Sequence, residues 1–355
     1  MLRLYDNGKV YIYVQAKQSS IYILLATLIM SFFVFAFFAS FILTYVIRYI
    51  AQKKSLIDIP NERSSHTIPT PRGGGLAIAI TWFVGITYMS YKGYIQNNLY
   101  FALISGILLS IISFLDDIYN LKSFPRFIVQ CAVAAIALYF IGGLKAIDLG
   151  FFIIENLYLL NLIAFIGIIW FINLFNFIDG IDGYAASESV FICVSIFFFV
   201  SDNVLLLLAI AVLGFLPWNW DTAKIFMGDI GSTLLGFSIC VLFIYFHNTG
   251  QFSIVNSLIL SSLFWFDATF TLFKRFINKE KLGQAHKKHA YQRIVQSGFS
   301  HQKTVLFAML TNLILFIVVF VSSQSNNKFS SFHLLFACIL MYCLYRYVDS
   351  KKPFA

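Results

Sequence analysis

Residues 159–183, LLNLIAFIGIIWFINLFNFIDGIDG, decide the class of fold. The first nineteen of them are almost entirely apolar, and a helix needs about 20 such residues to cross the hydrocarbon core of a bilayer. Near the end, polar side chains recur at every third position: Asn173, Asn176, Asp179 and Asp182. The stretch therefore predicts a membrane-spanning helix that ends in a cluster of amide and carboxylate oxygens.

The rest of the chain has the same apolar character. Of its 355 residues, 59% are hydrophobic and 12% are charged, about half the charged share of roughly 25% in soluble domains. The mean hydropathy is +0.81. A soluble particle could not bury so much apolar surface, so lipid must be its solvent, and a disordered chain, a coiled coil and a disulfide scaffold are excluded. The five cysteines lie in apolar runs and are expected to be buried, without disulfides or metal.

Eleven apolar stretches predict eleven transmembrane helices and an all-α polytopic membrane fold. These stretches are 22–48, 75–93, 99–115, 126–142, 159–177, 186–201, 203–217, 231–247, 254–275, 303–322 and 330–347. We expect residues 1–21 to form a polar extension without a cleavable signal sequence, residues 22–348 a single transmembrane catalytic domain, and residues 349–355 a cytoplasmic tail.

Lysine and arginine set the orientation. With the N-terminus outside, 19 of the 25 Lys and Arg residues fall on one side of the eleven helices, and the side richer in these residues is the cytoplasmic one. The net charge of +9 therefore indicates a cytoplasmic surface suited to anionic lipids and phosphorylated substrates, and no nucleic-acid partner is expected.

Five polar clusters fall on this cytoplasmic side. They are DIPNERSSHTIPTPRGGG (58–75), FLDDIYNL (114–121), NLFNFIDGIDG (173–183), AKIFMGDIGS (223–232) and HKKHAYQR (286–293). Polar residues at membrane depth are costly and usually functional, so five clusters on one face predict one composite site. A transporter would instead hold its substrate near the midplane.

Carboxylates and amides dominate three of the clusters. Asp116 and Asp117 either share a metal ion, provide a base, or form a solvated helix end. The oxygens of 173–183 suit Mg²⁺ or Mn²⁺, with helix capping as the alternative. Asp229 either caps the following helix or holds a metal beside a phosphate, and Phe226 lies close enough in sequence to stack on a flat base.

Basic residues dominate the other two clusters. HKKHAYQR contains His286, Lys287, Lys288, His289 and Arg293. Zinc would need a third ligand that is not nearby, and a loop that only rests on the membrane surface is a further alternative. We favour a phosphate clamp, because acids and glycines gather on the same face. Arg72, like Arg63 and His66 before it, is expected to act in the same way.

These residues predict a membrane enzyme that joins phosphorylated partners with a divalent metal. They resemble the polyprenyl-phosphate N-acetylhexosamine-1-phosphate transferases, a superfamily that includes undecaprenyl-phosphate GlcNAc-1-phosphate transferase and phospho-MurNAc-pentapeptide translocase. The resemblance covers residues 22–322, with the five motifs in order. The first motif and DATFTL…AHKKHAYQR most resemble the branch that starts O-antigen and related glycan chains.

The resemblance implies a reaction and its partners. A UDP-activated N-acetylated sugar gives its sugar 1-phosphate to undecaprenyl phosphate in the bacterial inner membrane, and UMP leaves. The uridine is implied to lie against the turn that begins at Asp179, on Gly180 and Asp182, and against Phe226. The resemblance does not identify the sugar, and a homodimer stays open.

Metal and acid residues are also implied by the resemblance. Mg²⁺, with Mn²⁺ as the alternative, is implied to bind Asn176 and Asp229, while Asp116 and Asp117 lie near the attacking lipid phosphate. One departure is Asn120, which stands where a third acid would complete the acidic motif.

The histidine motif of the superfamily maps onto His286 and His289, for which a catalytic role is implied. Arg293 is expected to join them in stabilising the transferred phosphate, and Lys288 to bind substrate in place of a family histidine. Two rival functions remain: a membrane prenyltransferase, whose fully acidic motifs this chain lacks, and a lipid-linked glycan transporter without enzymatic activity.

The predicted topology can be checked by cysteine labelling. We expect cysteines placed at Asn97 and Asn327 to react with an impermeant thiol reagent in intact cells, because both positions lie in outer loops. A cysteine at Ser123 should stay unlabelled, and labelling there would contradict a single cytoplasmic site.

Overall fold

The computed structural model describes residues 9–54, 56–60, 68–119, 121–284, 286–325 and 327–354, with side chains of the first helix described at Thr27 and from Ile29 onward. The predicted all-α class is confirmed for these residues. The helices are α1 Lys9–Lys53, α2 Gly75–Tyr91, α3 Asn97–Ile104, α4 Ile107–Tyr119, α5 Ser123–Ile141, α6 Leu157–Ile178, α7 Tyr184–Val200, α8 Asn203–Asn219, α9 Gly228–Asn248, α10 Ile254–Leu260, α11 Ser262–Ile277, α12 Ala290–Gln296, α13 His301–Gln324 and α14 Ser330–Lys351.

Each predicted span coincides with a helix or with two consecutive helices. In the described part of the chain, seven helical segments are long and apolar enough to cross a membrane, and the bent pair α10–α11 would be an eighth. The helices α2, α7 and α8 are apolar but 17 residues long, slightly short of the roughly 20 needed. The polytopic fold is therefore confirmed, while the count of eleven spans stays a prediction.

One predicted span is sharply bent. The stretch 254–275 is divided at Ser261 into α10 and α11, which meet at an angle of 78°. The Ser261 hydroxyl donates to the carbonyl of Ser257 at 2.8 Å, and the Trp265 indole donates to the carbonyl of Leu258 at 2.8 Å. These side chains satisfy carbonyl groups near the break. Hydropathy carries no information about such hydrogen bonds, so the sequence predicted one continuous helix over 254–275.

The centre of the bundle is α9. Every residue from Ile230 to Phe246 is buried. In the most apolar stretch of each helix, 94% of α9 is buried, compared with 17% of α1 and 22% of α14, which lie at the periphery. α9 packs mainly on α6, with α4 and α2 on other sides. Because α9 is surrounded by protein, its first turn, which contains Asp229, has little freedom to move.

Helices run into two of the expected terminal segments, while the division of the chain into extension, catalytic domain and tail stays a prediction. α1 begins at Lys9, so residues 9–21 continue the first helix. α14 ends at Lys351, so Asp349 belongs to the last helix. Residues 1–8, Arg63–His66 and Asn120 lie outside the described residues.

Two short antiparallel strand pairs connect helices. They are β1 Ile57–Asp58 with β2 Thr70–Pro71, and β3 Ile147–Asp148 with β4 Ile153–Ile154. The first pair matters for the site, because it brings Asp58 next to Arg72 at the end of the bundle where α2 begins. The two side chains lie 3.6 Å apart.

Gly236 marks a close approach between α9 and α6, since a Cβ there would lie 2.5 Å from the carbonyl oxygen of Phe171. Overpacking costs about 1–3 kcal/mol, so we expect Gly236→Val to lower the thermal unfolding midpoint in detergent by several degrees. Gly167→Ala is the control, because a Cβ at Gly167 would meet no atom within 4 Å. Equal midpoints for Gly236→Val and wild type would show that this approach does not hold the helices together.

Candidate active site

Polar side chains from distant parts of the chain meet in one cleft, at the end of the bundle where α4 and α6 end and α9 begins. Its lining residues are Asp58, Arg72, Asn176, Asp179, Gly180, Ile181, Asp182, Asn219, Phe226, Gly228, Asp229, Gln292 and His301. Seven residues singled out from the sequence are thus brought together: Arg72, Asn176, Asp179, Gly180, Asp182, Phe226 and Asp229.

The end of α6 and the first turn of α9 hold the two residues expected to bind metal. The amide of Asn176 donates to Asp229 Oδ1 at 2.8 Å. Gly228 has a φ of +74°, a left-handed conformation that favours glycine, and it turns the chain into α9 just before Asp229. Asn173, one turn earlier on α6, is not part of the cleft lining, because its amide donates instead to Gln130 at 3.0 Å.

Arg126, in the first turn of α5, joins the carboxylates of two motifs. Its guanidinium forms an ion pair with Asp116 and lies 3.0 Å from Asp229 Oδ2. Asp116 therefore reaches the Asn176–Asp229 pair through Arg126. The sequence analysis counted Arg126 only as a cytoplasmic charge, and its one signal was its position soon after the acidic end of α4.

The glycine run packs backbone to backbone on the turn before Asp229. The N–H of Gly74 donates to the carbonyl of Phe226 at 2.9 Å. A Cβ at Gly75 would lie 2.3 Å from the backbone of α9, so a larger residue does not fit. This close contact brings Arg72 to 3.9 Å from Asp117. Asp117 is thus linked to the cleft by Arg72, as Asp116 is by Arg126.

His301, the first residue of α13, pairs with the DGIDG turn. Its Nδ1 lies 3.1 Å from Asp182 Oδ2, which also accepts a hydrogen bond from the N–H of Ala223 at 3.2 Å. Burial, with further contributions from Asp229 and Asp182, raises the pKa of Asp179 well above its usual range. The sequence analysis missed His301, because it lies outside the five clusters and has no ligand spacing with another histidine.

The histidines of HKKHAYQR lie where burial disfavours their cationic form. His289 is buried at the N-cap of α12, with its ring packed against Phe177 and Tyr291. Burial, with nearby arginines, lowers the pKa of His289 to about 3. Burial and the neighbouring His289 lower the pKa of His286 to about 3. Burial thus favours the neutral form of both rings, and their expected catalytic role stays a prediction.

The cations of this motif also turn away from the cleft. Arg293 has a side chain that is 2% exposed, and it pairs with Asp349 and donates to the carbonyl of Lys352 at 2.9 Å. Lys288 donates to Glu280 at 2.9 Å. Neither lines the cleft. Acids elsewhere in the chain hold both side chains in this structure, and their expected phosphate contacts stay a prediction.

Two uncharged residues of the same motif face the DGIDG turn instead. The Tyr291 hydroxyl donates to the carbonyl of Phe177 at 2.7 Å. A Cβ at Gly180 would lie 2.3 Å from Tyr291 Oη and 3.1 Å from Gln292 Nε2. Gln292 lines the cleft. The sequence analysis did not single out either residue, because it judged the motif by its charge.

Carboxylates outnumber cations around the cleft. The carboxylates are Asp58, Asp116, Asp117, Asp179, Asp182 and Asp229, and the arginines are Arg72 and Arg126. Asp117 Oδ2 is buried without a hydrogen-bond partner among the described residues. This surplus of hard oxygen ligands fits a divalent cation such as Mg²⁺. Within the described ranges no three His, Cys, Asp or Glu side chains converge on one point, so such an ion would complete its shell with water and phosphate oxygens.

Comparison with known proteins adds an independent observation. The family described as glycosyl transferase family 4 matches residues 98–247. The probable undecaprenyl-phosphate N-acetylglucosaminyl 1-phosphate transferase of Bacillus subtilis is 30% identical over 322 residues, which cover 87% of this chain and 89% of that protein. The undecaprenyl-phosphate alpha-N-acetylglucosaminyl 1-phosphate transferase of Thermotoga maritima is 27% identical over 86% of this chain and 94% of its own. The phospho-N-acetylmuramoyl-pentapeptide-transferase of Thermotoga petrophila is 33% identical over a shorter region, 47% of this chain and 57% of its own.

Acid should destabilise the α12 region, because the pKa of His286 and that of His289 lie below the usual 6.5. The unfolded chain then binds protons that the folded chain excludes, so the free energy of unfolding decreases as the pH falls below about 6.5. We expect the unfolding midpoint to be a few degrees lower at pH 5 than at pH 7. His289→Asn, which suits an N-cap and does not titrate, should show a smaller decrease. An unchanged decrease in this variant would exclude His289 as the titrating group.

Proposed function

This chain belongs to glycosyl transferase family 4, and from that premise we propose that it transfers an N-acetylated sugar 1-phosphate from a UDP-sugar to undecaprenyl phosphate. UMP leaves, and the lipid-linked product starts an O-antigen or related envelope glycan. The cleft would face the cytoplasm of a bacterial inner membrane, where both substrates carry phosphate. The main support for the proposal is that Asn176 and Arg126 both contact Asp229 at one end of the helix bundle.

The cleft offers separate places for the two ends of the donor. Gly180 has no side chain and Phe226 offers an aromatic ring, so the uridine is proposed to lie between them. The diphosphate would then point toward Asn176 and Asp229, which are proposed to hold Mg²⁺. When bound, this ion neutralises charge on the donor phosphates.

Charge balance assigns a role to the two arginines. UDP-sugar carries about −2 and the lipid phosphate about −1.5 to −2 at pH 7. One divalent ion neutralises about half of this charge, so fixed cations are needed nearby. Arg72 and Arg126 are the arginines in contact with Asp117 and Asp116. We therefore propose that they, and not the HKKHAYQR cations, neutralise the remaining charge.

Direct transfer is the simplest chemistry for this arrangement. An oxygen of the lipid phosphate attacks the sugar-linked phosphorus of the donor, the bond from that phosphorus to the oxygen of UMP breaks, and UMP leaves with the electron pair. The lipid phosphate is already mostly a dianion at pH 7, so a base gains little. We propose that Asp116 and Asp117 orient the arginines and the nucleophile, and that no covalent intermediate with the protein forms.

N-acetylglucosamine is the sugar that the relatives favour. The proteins of Bacillus subtilis and Thermotoga maritima, which match over most of their length, both carry it in their names. The purified protein should therefore release UMP when UDP-GlcNAc, undecaprenyl phosphate and Mg²⁺ are combined, and should release none when the lipid phosphate is omitted. Turnover only with UDP-GalNAc or a 6-deoxy sugar would contradict the sugar, and no UMP with any of them would contradict the transferase.

Substitutions test the proposed metal residues. Asp229→Asn removes a charge and Asn176→Ala removes a neutral ligand, and we expect each to reduce Mg²⁺-dependent UMP release by at least about 10²-fold. The matched control is Asp202→Asn at the N-cap of α8, which keeps a capping side chain at the opposite end of that helix from Asn219. It should retain activity. Near-wild-type activity of Asp229→Asn at low Mg²⁺ would contradict the assignment.

A further inference from the structure

The last turn of α14 is bound to the segment that forms one wall of the cleft. We call Asp349, Lys352 and Phe354 the C-terminal latch. All three contact Arg293 of α12. The latch lies at the end of a peripheral helix, and no residue of it lines the cleft.

Arg293 is the point where three segments meet. Its Nε donates to the carbonyl of Lys288 at 3.1 Å, while one terminal nitrogen pairs with Asp349 and donates to the carbonyl of Lys352 at 2.9 Å. The arginine is almost completely buried. A buried guanidinium requires a charged partner, and its acidic partner among the described residues is Asp349.

Asp349 serves a second cation at the same time. Its other oxygen lies 3.0 Å from Nζ of Lys274, in the last turn of α11. Without Asp349, Lys274 and Arg293 would be two neighbouring cations with no shared anion. Both lie over the Tyr345 ring, at 4.5 Å and 4.7 Å from its centroid. One carboxylate of α14 therefore links the last turn of α11 to Arg293 of α12, in addition to the direct bond from the N–H of Ala290 to Asp267 of α11 at 2.8 Å.

Phe354 closes the latch from the other side. Its ring lies 5.0 Å from Lys274 Nζ, 5.3 Å from Lys288 Nζ and 5.5 Å from the Arg293 guanidinium carbon. Aromatic faces attract cations at such distances. The latch thus contacts Lys288 and Arg293 of HKKHAYQR on the side away from the cleft, and neither side chain lines the cleft.

Helix α12 connects Arg293 to the cleft. Tyr291 and Gln292 directly precede Arg293 in α12, Tyr291 is bonded to the end of α6, and Gln292 lines the cleft next to Gly180. α12 is only seven residues long, so it has few bonds within itself; its first N–H is bonded to Asp267 of α11 at 2.8 Å, and its later part is held through Arg293. A shift of Arg293 would therefore move both residues relative to the turn that is proposed to bind uridine.

We propose that Asp349 is a positioning residue, which holds α12 so that Gln292 lines the cleft beside Gly180 and Tyr291 stays bonded to the end of α6. The inference rests on the proposed function for its kinetic consequence but not for its structural one. Asp349 touches neither the cleft nor the reacting groups, and it acts through Arg293. Its loss should weaken donor binding while leaving the lipid phosphate side of the site unchanged.

Hydrogen–deuterium exchange of the full-length protein in detergent tests the structural part. We expect Asp349→Asn, which keeps the shape but removes the charge, to increase exchange in peptides covering 288–296 and to leave α6 and α9 unchanged. Ser350→Ala is the matched control, because that hydroxyl bonds only within its own helix. Unchanged exchange at 288–296 in Asp349→Asn, or an equal increase throughout the protein, would overturn the proposal.

Steady-state kinetics test the positioning role. Losing a charged hydrogen-bond partner costs enough for a roughly 10-fold effect, so we expect Asp349→Asn to raise KM for the UDP-sugar by about that factor, with KM for undecaprenyl phosphate unchanged and Asp349→Glu restoring part of the loss. Equal changes in both KM values, or a lower unfolding midpoint with unchanged KM, would show a merely structural role. Absence of turnover in the wild type would instead refute the proposed function. The exchange measurement would then still show whether Asp349 holds α12 in place.

Discussion

The hydrogen bond between Asn176 and Asp229 is the contact on which the rest of the site depends. It joins the end of α6 to the first turn of α9, and α9 is buried along almost its whole length, so this turn is fixed by the core of the bundle. The other parts of the site are placed relative to it. Arg126 reaches Asp229 from α5, and the glycine run packs on the turn that precedes it. Because all these groups meet where helices end, the bundle needs no large extramembrane domain to build a polar cleft.

Much of this arrangement could be predicted from the sequence. Hydropathy located the helices, because lipid-facing and core-facing residues are alike apolar, and the placement of five polar clusters on one side of the predicted spans indicated that Asn176 and Asp229 would lie in one site. The bend at Ser261 could not be predicted in this way, because it depends on side-chain bonds to individual carbonyls. Arg126 was missed because an isolated arginine beside a helix end resembles any residue that sets topology, and His301 because it lies outside the five clusters.

The basic motif shows why charge density was a misleading guide. HKKHAYQR contains many cationic residue types, but burial keeps His286 and His289 neutral, and Arg293 is taken up by Asp349, more than fifty residues later in the chain. What reaches the cleft from this motif is the uncharged Gln292. Most of the cleft is thus formed around the ends of α6 and α9, while α12 contributes Gln292. The position of Gln292 depends on contacts at the periphery of the bundle.

We infer that a divalent ion neutralises the surplus of carboxylates in the cleft before an anionic nucleotide binds. Isothermal titration of the purified protein with UDP, in Mg²⁺ and in excess EDTA, tests this claim most directly. The account predicts that UDP binds at least about 10-fold more tightly with Mg²⁺, a difference of about 1.4 kcal/mol. Equal affinity in EDTA would contradict it, because Arg72 and Arg126 alone would then balance the charge.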